Sequence, residues 1–315
     1  MKIFPERLLT NNRNIYSYAI LLFAGALLLF SSCKKEEIQY EEVTFPNNDA
    51  PEDLTVDSAA LRLMVENYVI KSYITALGRE PDSVEKNFGV ELLLDSNLSM
   101  NSRYQFLDSV FSNPGFIDKF YERARIDLLQ GLDTSEITVQ IFIIEFVLIP
   151  SITSTPDSIL IPYYQAEADR LKEMKEIPDS LHAGVITYAE AHRRCVDNTF
   201  YDQLNMGAFN FVVSMFQHFL DRYPTTNEQV AGVNMVNGNS AVLFLTAGQS
   251  KNDFLKIFFD SDDYYEGQVL TLYRQYLFRT PTTLEMSDGT TLYMSTGDFI
   301  QLQKSILSKN EFVGL

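Results

Sequence analysis

Histidine, cysteine and basic residues are scarce in this sequence, and each shortage excludes a class of function. The three histidines and two cysteines form neither a His-Glu-x-x-His zinc helix nor a Cys-x-x-Cys pair. The sequence also lacks a Gly-x-Ser-x-Gly elbow and a phosphate-binding glycine loop, so we expect no cofactor. The 25 basic and 42 acidic residues give a formal net charge of -17, which repels phosphate backbones. The sequence therefore predicts no nucleic-acid partner.

The amino terminus has the pattern of a secretory signal. Basic residues precede the apolar stretch AILLFAGALLLF at 19–30, which is short for a membrane span and of the right length for a signal peptide. The Ser-Ser-Cys that follows at 31–33 resembles the lipobox of Bacteroidota lipoproteins. The resemblance implies that 1–32 is a signal peptide and that Cys33 is acylated and becomes the mature amino terminus. The alternative is an ordinary signal peptide, or an anchor helix, with an incidental cysteine.

The next segment, 33–54, is charged and poor in apolar side chains, which is typical of a tether rather than a domain. The Lys-Lys-Glu-Glu run after Cys33 resembles the export signal of some Bacteroidota surface lipoproteins. It implies a lipid-anchored protein of the outer membrane, on the periplasmic or the cell-surface face. With Cys33 acylated, Cys195 has no partner for an intramolecular disulfide, and we expect it to be a small buried hydrophobic side chain.

Three segments of the chain share one pattern. They are YITALGREPDSVE at 73–85, FQHFLDRYPTTNE at 216–228 and YRQYLFRTPTTLE at 273–285. Each has an aromatic residue six positions before an arginine, a proline two positions after it and a glutamate six positions after it. Apolar residues recur at helical spacing before the arginine, which predicts an amphipathic helix there. Repetition of this kind predicts related structural units.

The shared Arg-x-Pro-x-x-x-Glu pattern predicts a corner between two helices. Proline disfavours helical geometry in the residue before it, which ends the first helix. A good N-cap residue follows the proline, and a glutamate three residues later completes a capping box at Asp82, Thr225 and Thr282. The corner residues are Arg79, Pro81, Glu85, Arg222, Pro224, Glu228, Arg279, Pro281 and Glu285. We interpret them as structural, and the alternative is a binding or catalytic role for the three arginines.

A second element follows each corner after an insertion of variable length. The segments 106–116, 254–264 and 302–312 align without gaps and predict a short helix, a polar turn and an anchoring aromatic residue. Together with the corner, they resemble small helical repeat domains of unknown function in bacterial surface and secreted proteins. That resemblance implies a helical fold and transfers no catalytic residue.

The whole mature chain is therefore predicted to be all-α, with three related helical units packed in one or two domains. We expect unit 1 at 55–135, a connecting region at 136–185, unit 2 at 186–268 and unit 3 at 269–315. Within the connecting region, the apolar run 141–149 is consistent with a buried helix or a strand, which periodicity does not separate.

One pair of residues has the spacing of a reactive site. His192 and Cys195 lie three positions apart, so on a helix they share one face. They are candidates for two metal ligands, or for a thiolate with its base. Two ligands do not complete a zinc site, and the alternative is a packed helix surface without chemistry.

Two further stretches are candidate binding sites. Asp260, Asp262, Asp263 and Glu266 cluster as calcium ligands often do, although their spacing departs from that of an EF-hand loop. We interpret this cluster as a solvated helix terminus and predict no metal site, with calcium binding as the alternative. The aromatic and amide side chains at 200–211 fit either a sugar-binding surface or a packed core.

These observations favour a surface-anchored, non-enzymatic helical lipoprotein. We expect it to act as a binding module or an accessory subunit of an outer-membrane complex, with the membrane as one partner through its lipid and an outer-membrane protein as the other. A first alternative is a glycan-binding lipoprotein of a nutrient-uptake system. A second is a hydrolase that uses two carboxylates in a cleft, since acids are abundant.

Overall fold

The computed structural model describes residues 58–315, which belong to one compact unit. The predicted signal peptide at 1–32, the lipidation site Cys33 and the tether at 33–54 lie outside the described residues. Four helices form the first part of the fold: α1 (Ser58–Leu77), α2 (Ser83–Asp95), α3 (Met100–Phe111) and α4 (Gly115–Leu129).

The middle of the chain is also helical. Helix α5 (Thr134–Ile143) continues through a π-helical turn (Ile144–Leu148) into the short α6 (Ile149–Ser151). A 3-10 turn (Asp157–Ile159) then leads into α7. The helices that follow are α7 (Leu160–Lys175), α8 (Ile177–His182), α9 (Tyr188–Val196) and α10 (Thr199–Leu204).

The last part of the chain contains the sheet found within residues 58–315. Strands β1 (Ala241–Leu243) and β2 (Thr246–Gly248) form an antiparallel hairpin in which Val242 is opposite Ala247. The helices here are α11 (Ala208–Leu220), α12 (Thr226–Val236), α13 (Lys251–Phe259), α14 (Asp262–Leu277), α15 (Thr283–Thr296), α16 (Phe299–Leu307) and α17 (Asn310–Val313). The predicted all-α class is confirmed, with this hairpin as a small addition.

A glycine lies where the two helices of each corner meet. A Cβ atom at Gly232 of α12 would lie 2.9 Å from both methyl carbons of Val212 on α11. The equivalent contacts join Gly89 to Val69 and Gly289 to Val269. Each glycine stands ten positions after the corner arginine, and each valine ten positions before it. The absent side chain lets the two helices approach closely, so these glycines belong to the same pattern as the corners.

The first and last parts of the described chain pack directly on each other. Phe120 of α4 contacts the ring of Phe299 on α16, with ring centroids 6.1 Å apart, and both rings contact Tyr188 of α9. Arg103 of α3 is buried and donates hydrogen bonds to the Ser308 carbonyl oxygen at 2.8 Å and to Asn310 Oδ1 at 2.7 Å. Aromatic packing and a buried guanidinium therefore join elements distant in the sequence.

Two of the predicted unit boundaries fall inside helices. The boundary at 135/136 lies in α5, and the boundary at 268/269 lies in α14. The second case has a physical cause. Tyr264 is the buried anchoring aromatic that follows α13, and Val269 packs on Gly289 of the third corner. Helix α14 therefore contacts both flanking corners.

The apolar run 141–149 is a helix rather than a strand, and most of it is not buried. Ile144 is buried, whereas Phe142, Phe146 and Val147 are exposed. Thr134–Ser151 is long and apolar enough to cross a membrane, judged by length and composition, and 11% of it is buried. Helices α5 and α6 pack against α7, so the chain from 134 to 164 forms a hairpin with a first arm at 134–151 and a second arm at 159–164. We call residues 134–164 the apolar hairpin.

Candidate functional sites

The second corner shows the local geometry most completely. Thr225 Oγ1 accepts a hydrogen bond from the Glu228 amide at 3.3 Å, and Glu228 Oε2 accepts one from the Thr225 amide at 2.7 Å. Arg222 donates two hydrogen bonds to the Glu228 carboxylate, at 2.9 and 2.8 Å. Its guanidinium carbon lies 4.9 Å from the centre of the Phe216 ring. Arg222 therefore contacts both Glu228 and the Phe216 ring, and Glu228 in turn contacts the N-cap residue Thr225.

The other two corners have the same geometry. Both contain a capping box, at Asp82 with Glu85 and at Thr282 with Glu285. Bidentate pairs join Arg79 to Glu85, at 2.7 and 2.7 Å, and Arg279 to Glu285, at 2.8 and 2.9 Å. Each arginine also lies over the aromatic residue six positions before it, Tyr73 or Tyr273.

The helix before each corner ends earlier than the proline rule predicts. Helices α1, α11 and α14 stop at the leucine two positions before the arginine. The next residue has a left-handed backbone, with φ of 69° at Gly78, 52° at Asp221 and 55° at Phe278. A left-handed residue just after the last helical turn is a common way to end a helix. The proline then lies in the connection and directly precedes the N-cap.

The corner of α11 and α12 also contacts the beginning of α14. Arg222 donates to Asp263 at 2.8 Å. The hydrogen bonds from Arg222, followed by those from the Thr225 amide and hydroxyl, outweigh desolvation and lower the pKa of Glu228 to about 2. At the third corner, Arg279 pairs with Glu311, and Lys309 pairs with Glu285. The guanidinium groups are thus engaged within the fold, and the structural role of the corners stays a prediction that mutation can test.

His192 and Cys195 occupy a closely packed part of α9. His192 Nδ1 lies 2.9 Å from Tyr264 Oη, and burial lowers the pKa of His192 to about 4. Cys195 is 1% exposed, and burial raises the pKa of its thiol to about 12. The adjacent Arg193 is paired with Glu190 at 2.7 Å. Burial thus outweighs the opposing effect of the Arg125 charge on the pKa of this thiol, and the thiol is held in its protonated form at neutral pH.

Two carboxylates of the acidic turn between α13 and α14 form ion pairs with different basic residues. Asp260 pairs with Lys256 at 2.6 Å, and Asp263 pairs with Arg222 at 2.8 Å. Asp262 lies in the first turn of α14, where a carboxylate is favoured by the helix dipole. Across residues 58–315, no group of three or more His, Cys, Asp or Glu side chains is arranged to hold a metal ion.

The stretch 200–211 is divided between core and surface. Tyr201 and Phe211 are buried, and their rings contact each other with centroids 5.7 Å apart. Asn205 donates to the Tyr201 carbonyl oxygen at 2.9 Å and accepts from Ser214. Phe209 is exposed. Most of the aromatic and amide groups that suggested a sugar-binding surface therefore contribute to packing and to the end of α10.

A cavity of about 160 Å³ lies where α4, α9, α11, α14 and α16 meet. Its lining includes both aromatic rings and polar side chains, among them His192, His218, Gln268 and Gln303. His192 is the member that the sequence had singled out as a candidate. The others come from helices far apart in the sequence, and no local pattern brings them together.

The apolar hairpin exposes large side chains on both arms. Phe146 is 65% exposed and Ile159 is 79% exposed. The rings of Phe142 and Phe146 stack with centroids 5.1 Å apart. The exposed large apolar residues of the hairpin are Val139, Phe142, Phe146, Val147, Ile159, Leu160 and Tyr163. Lys172, further along α7 and beyond the hairpin, forms a salt bridge with Glu145 at 2.5 Å and so joins α7 to the first arm.

Comparison with known proteins adds no assignment. The chain matches no family model, no curated protein and no solved structure.

Proposed function

We propose that this chain is a lipid-anchored helical protein of the outer membrane that acts, without catalysis of its own, as a binding module or accessory subunit of an outer-membrane complex. The observation that carries the proposal is the apolar hairpin. Soluble monomers rarely expose contiguous apolar patches larger than a few hundred Å². Exposed Phe142, Phe146 and Ile159 on one hairpin are typical of a surface that a partner covers.

The partner that fits the apolar hairpin best is a protein with an apolar groove whose rim is basic. The turn of the hairpin contains Asp157, which accepts a hydrogen bond from Ser154 and is exposed. A carboxylate at that position disfavours deep insertion into hydrocarbon. Asp133 and Glu136 are exposed where the first arm begins. Carboxylates around an apolar centre favour a partner whose rim carries lysine or arginine.

The predicted anchor is compatible with such a complex. Between Cys33 and Ser58 the chain is long enough to reach at most roughly 90 Å when fully extended. A protein held by its lipid at this distance remains near membrane partners, and tethering raises its effective concentration there. The lipobox resemblance and the charged segment after Cys33 support this placement.

The three corners support a related proposal about architecture, namely that the helix pairs are copies of one unit. Each pair has the same bidentate ion pair, capping box and glycine contact. Repeats of this kind specify a scaffold, and the apolar hairpin lies between the first and second copies.

The proposal is tested by purifying the tagged full-length chain from detergent-solubilised outer membranes. Wild type is compared with the double variant Phe142→Ser/Phe146→Ser and with the control Leu245→Ser, which alters a residue that is 99% exposed in the β-hairpin. We expect one stoichiometric membrane protein with wild type and control. The double variant should bind roughly thirtyfold more weakly, since truncating a buried interface aromatic typically removes about 2 kcal/mol.

Incorporation of labelled palmitate tests the anchor in the same strains. Cys33→Ala should abolish the label, whereas Cys195→Ala should keep it. Equal recovery of a partner with all three surface versions would reject the hairpin as the docking element. Recovery of a lone monomer in every case would reject the proposed function as a whole.

A further inference from the structure

The floor of the cavity between α4, α11, α14 and α16 contains an amide group with unused hydrogen-bonding capacity. Gln303 is 2% exposed, and its Oε1 accepts a hydrogen bond from Tyr276 Oη at 2.6 Å. Its Nε2 is buried and has no hydrogen-bond partner among residues 58–315. A buried donor without a partner is unfavourable, so a ligand atom that accepts a hydrogen bond here would be stabilised.

A second amide lines the same cavity. Gln268 of α14 is 7% exposed, and its Nε2 reaches the Phe219 carbonyl oxygen at 3.5 Å. That distance is at the limit for a hydrogen bond, so the group is weakly satisfied. Gln268 and Gln303 are held on different helices, which fixes two polar groups in one small volume.

The walls of the cavity are aromatic. Phe116, Phe120 and Phe299 line it, and each of them is buried or nearly so. Phe120 and Phe299 meet edge to face, with centroids 6.1 Å apart. Ligand pockets in proteins combine such apolar walls with a few fixed polar groups that set orientation. A bound molecule therefore needs one apolar face and one edge that carries hydrogen-bonding atoms.

The rim has no excess of either charge. Arg123 and Asp127 lie one helical turn apart on α4, and both line the cavity. His218 Nδ1 lies 3.0 Å from Tyr201 Oη, and partial desolvation lowers the pKa of its ring against the opposing charge of Asp127. Thr271 and Gln275 complete the polar part of the rim. A balanced rim of this kind favours a neutral ligand that both donates and accepts hydrogen bonds.

We propose that this cavity binds one neutral sugar ring, either as a free monosaccharide or as the terminal residue of an oligosaccharide. A sugar ring has an apolar C–H face for the aromatic walls and a hydroxyl edge for Gln268 and Gln303. The space of about 160 Å³ lies between these aromatic walls and the two amide groups. The inference goes beyond the proposed function, which requires no small ligand.

The test measures binding of neutral sugars to the full-length chain by calorimetry and by ligand-detected NMR. The probes are glucose, galactose, mannose and xylose, together with a disaccharide ending in each. The variant Gln303→Leu removes the free amide, and Gln301→Leu makes the same chemical change on α16 at a position that does not line the cavity. Thermal unfolding of both variants shows whether each is folded.

We expect saturable binding of at least one sugar, weakened tenfold or more by Gln303→Leu and unchanged by Gln301→Leu. Tighter binding of a disaccharide identifies a terminal glycan residue as the natural ligand, and equal or weaker binding identifies the free ring. Absence of saturable binding at millimolar sugar, or binding that Gln303→Leu leaves unchanged in a folded protein, would overturn the proposal. Capture of the membrane partner by the Gln303→Leu variant should remain as in wild type, which separates this inference from the proposed function.

Discussion

Arg222 donates a hydrogen bond of 2.8 Å to Asp263, a residue 41 positions further along the chain. The same guanidinium holds Glu228 across the corner between α11 and α12. Asp263 lies in the first turn of α14, which is also the first helix of the third corner. One arginine therefore joins a corner to the helix that begins the next one. Arg279 makes a comparable long-range contact with Glu311 at the beginning of α17, the last helix of the chain as described.

Replacement of the N-cap at the second corner should reduce stability and leave binding intact. Thr225→Ala removes the hydroxyl that accepts from the Glu228 amide, and loss of an N-cap typically costs about 1 kcal/mol. In a domain of this size the melting temperature should fall by roughly 2–4 °C. The control is Thr226→Ala, one residue further on, where the side chain makes no cap bond. Partner capture that disappears while the melting temperature is unchanged would assign the corner a binding role.

The corner should weaken in acid because of Glu228. Hydrogen bonds from Arg222 lower the pKa of this carboxyl from 4.5 to about 2 in the folded protein. A carboxyl with a lowered folded pKa stabilises the fold fully above its unfolded pKa, and that contribution is lost as the pH falls from about 4.5 to about 2. The stability difference between wild type and Glu228→Gln, of order 1 kcal/mol after solvent screening, should therefore shrink across this range.

The pH dependence is measured by urea unfolding between neutral pH and the lowest pH at which the protein stays folded. In an Arg222→Gln background, Glu228→Gln should have little effect that depends on pH, because the main cause of the lowered pKa is gone. A wild-type advantage that grows as the pH falls would contradict the assignment of this pair.

Addition of one methyl group between α11 and α12 should be destabilising. In Gly232→Ala, the new Cβ would lie 2.9 Å from both Val212 methyl carbons and 3.0 Å from the Phe254 ring. Overpacking in a core typically costs about 1–3 kcal/mol. Chemical denaturation measures the loss, and Val212→Ala in the same chain should restore part of it by making room. If the changes in the free energy of unfolding from the two substitutions simply add, the close approach of α11 and α12 is not the cause of the destabilisation.

Cys195 should react slowly in the folded protein. Its side chain is 1% exposed, and burial raises the pKa of the thiol to about 12, so little thiolate is present at neutral pH. In a Cys33→Ala chain, where Cys195 is the sole thiol, reaction with an aromatic disulfide reagent should be slow in buffer and fast in denaturant. Rapid labelling at the same rate in both solvents would show that the thiol is accessible and would restore it as a functional candidate.

Local features of the fold could be predicted from the sequence. The capping boxes depend on residues three positions apart, and the all-α class depends on helical periodicity within single segments. The glycines at 89, 232 and 289 carry an equally regular signal, ten positions after each corner arginine. The role of each glycine depends on the valine that it contacts in the folded protein, and the spacing in the sequence does not identify that valine.

Features that depend on tertiary packing could not be predicted in the same way. An apolar run such as 141–149 is expected to be buried, yet whether it is covered depends on which elements pack around it, and Phe146 is 65% exposed. The cavity joins residues as distant in the sequence as Phe120 and Gln303. The sequence predicts that proline ends the helix at each corner. In the structure a left-handed residue ends the helix, and the arginine and the proline come after it.

Site-specific photo-crosslinking in intact cells, with a photoreactive amino acid at Phe146, tests most directly whether the apolar hairpin docks on a membrane protein. Leu245, which is 99% exposed in the β-hairpin, is the control position. We expect one discrete crosslinked membrane protein from position 146, the same protein from position 159 on the second arm, and none from position 245. Crosslinking of lipid alone from position 146, or identical products from positions 146 and 245, would contradict this expectation.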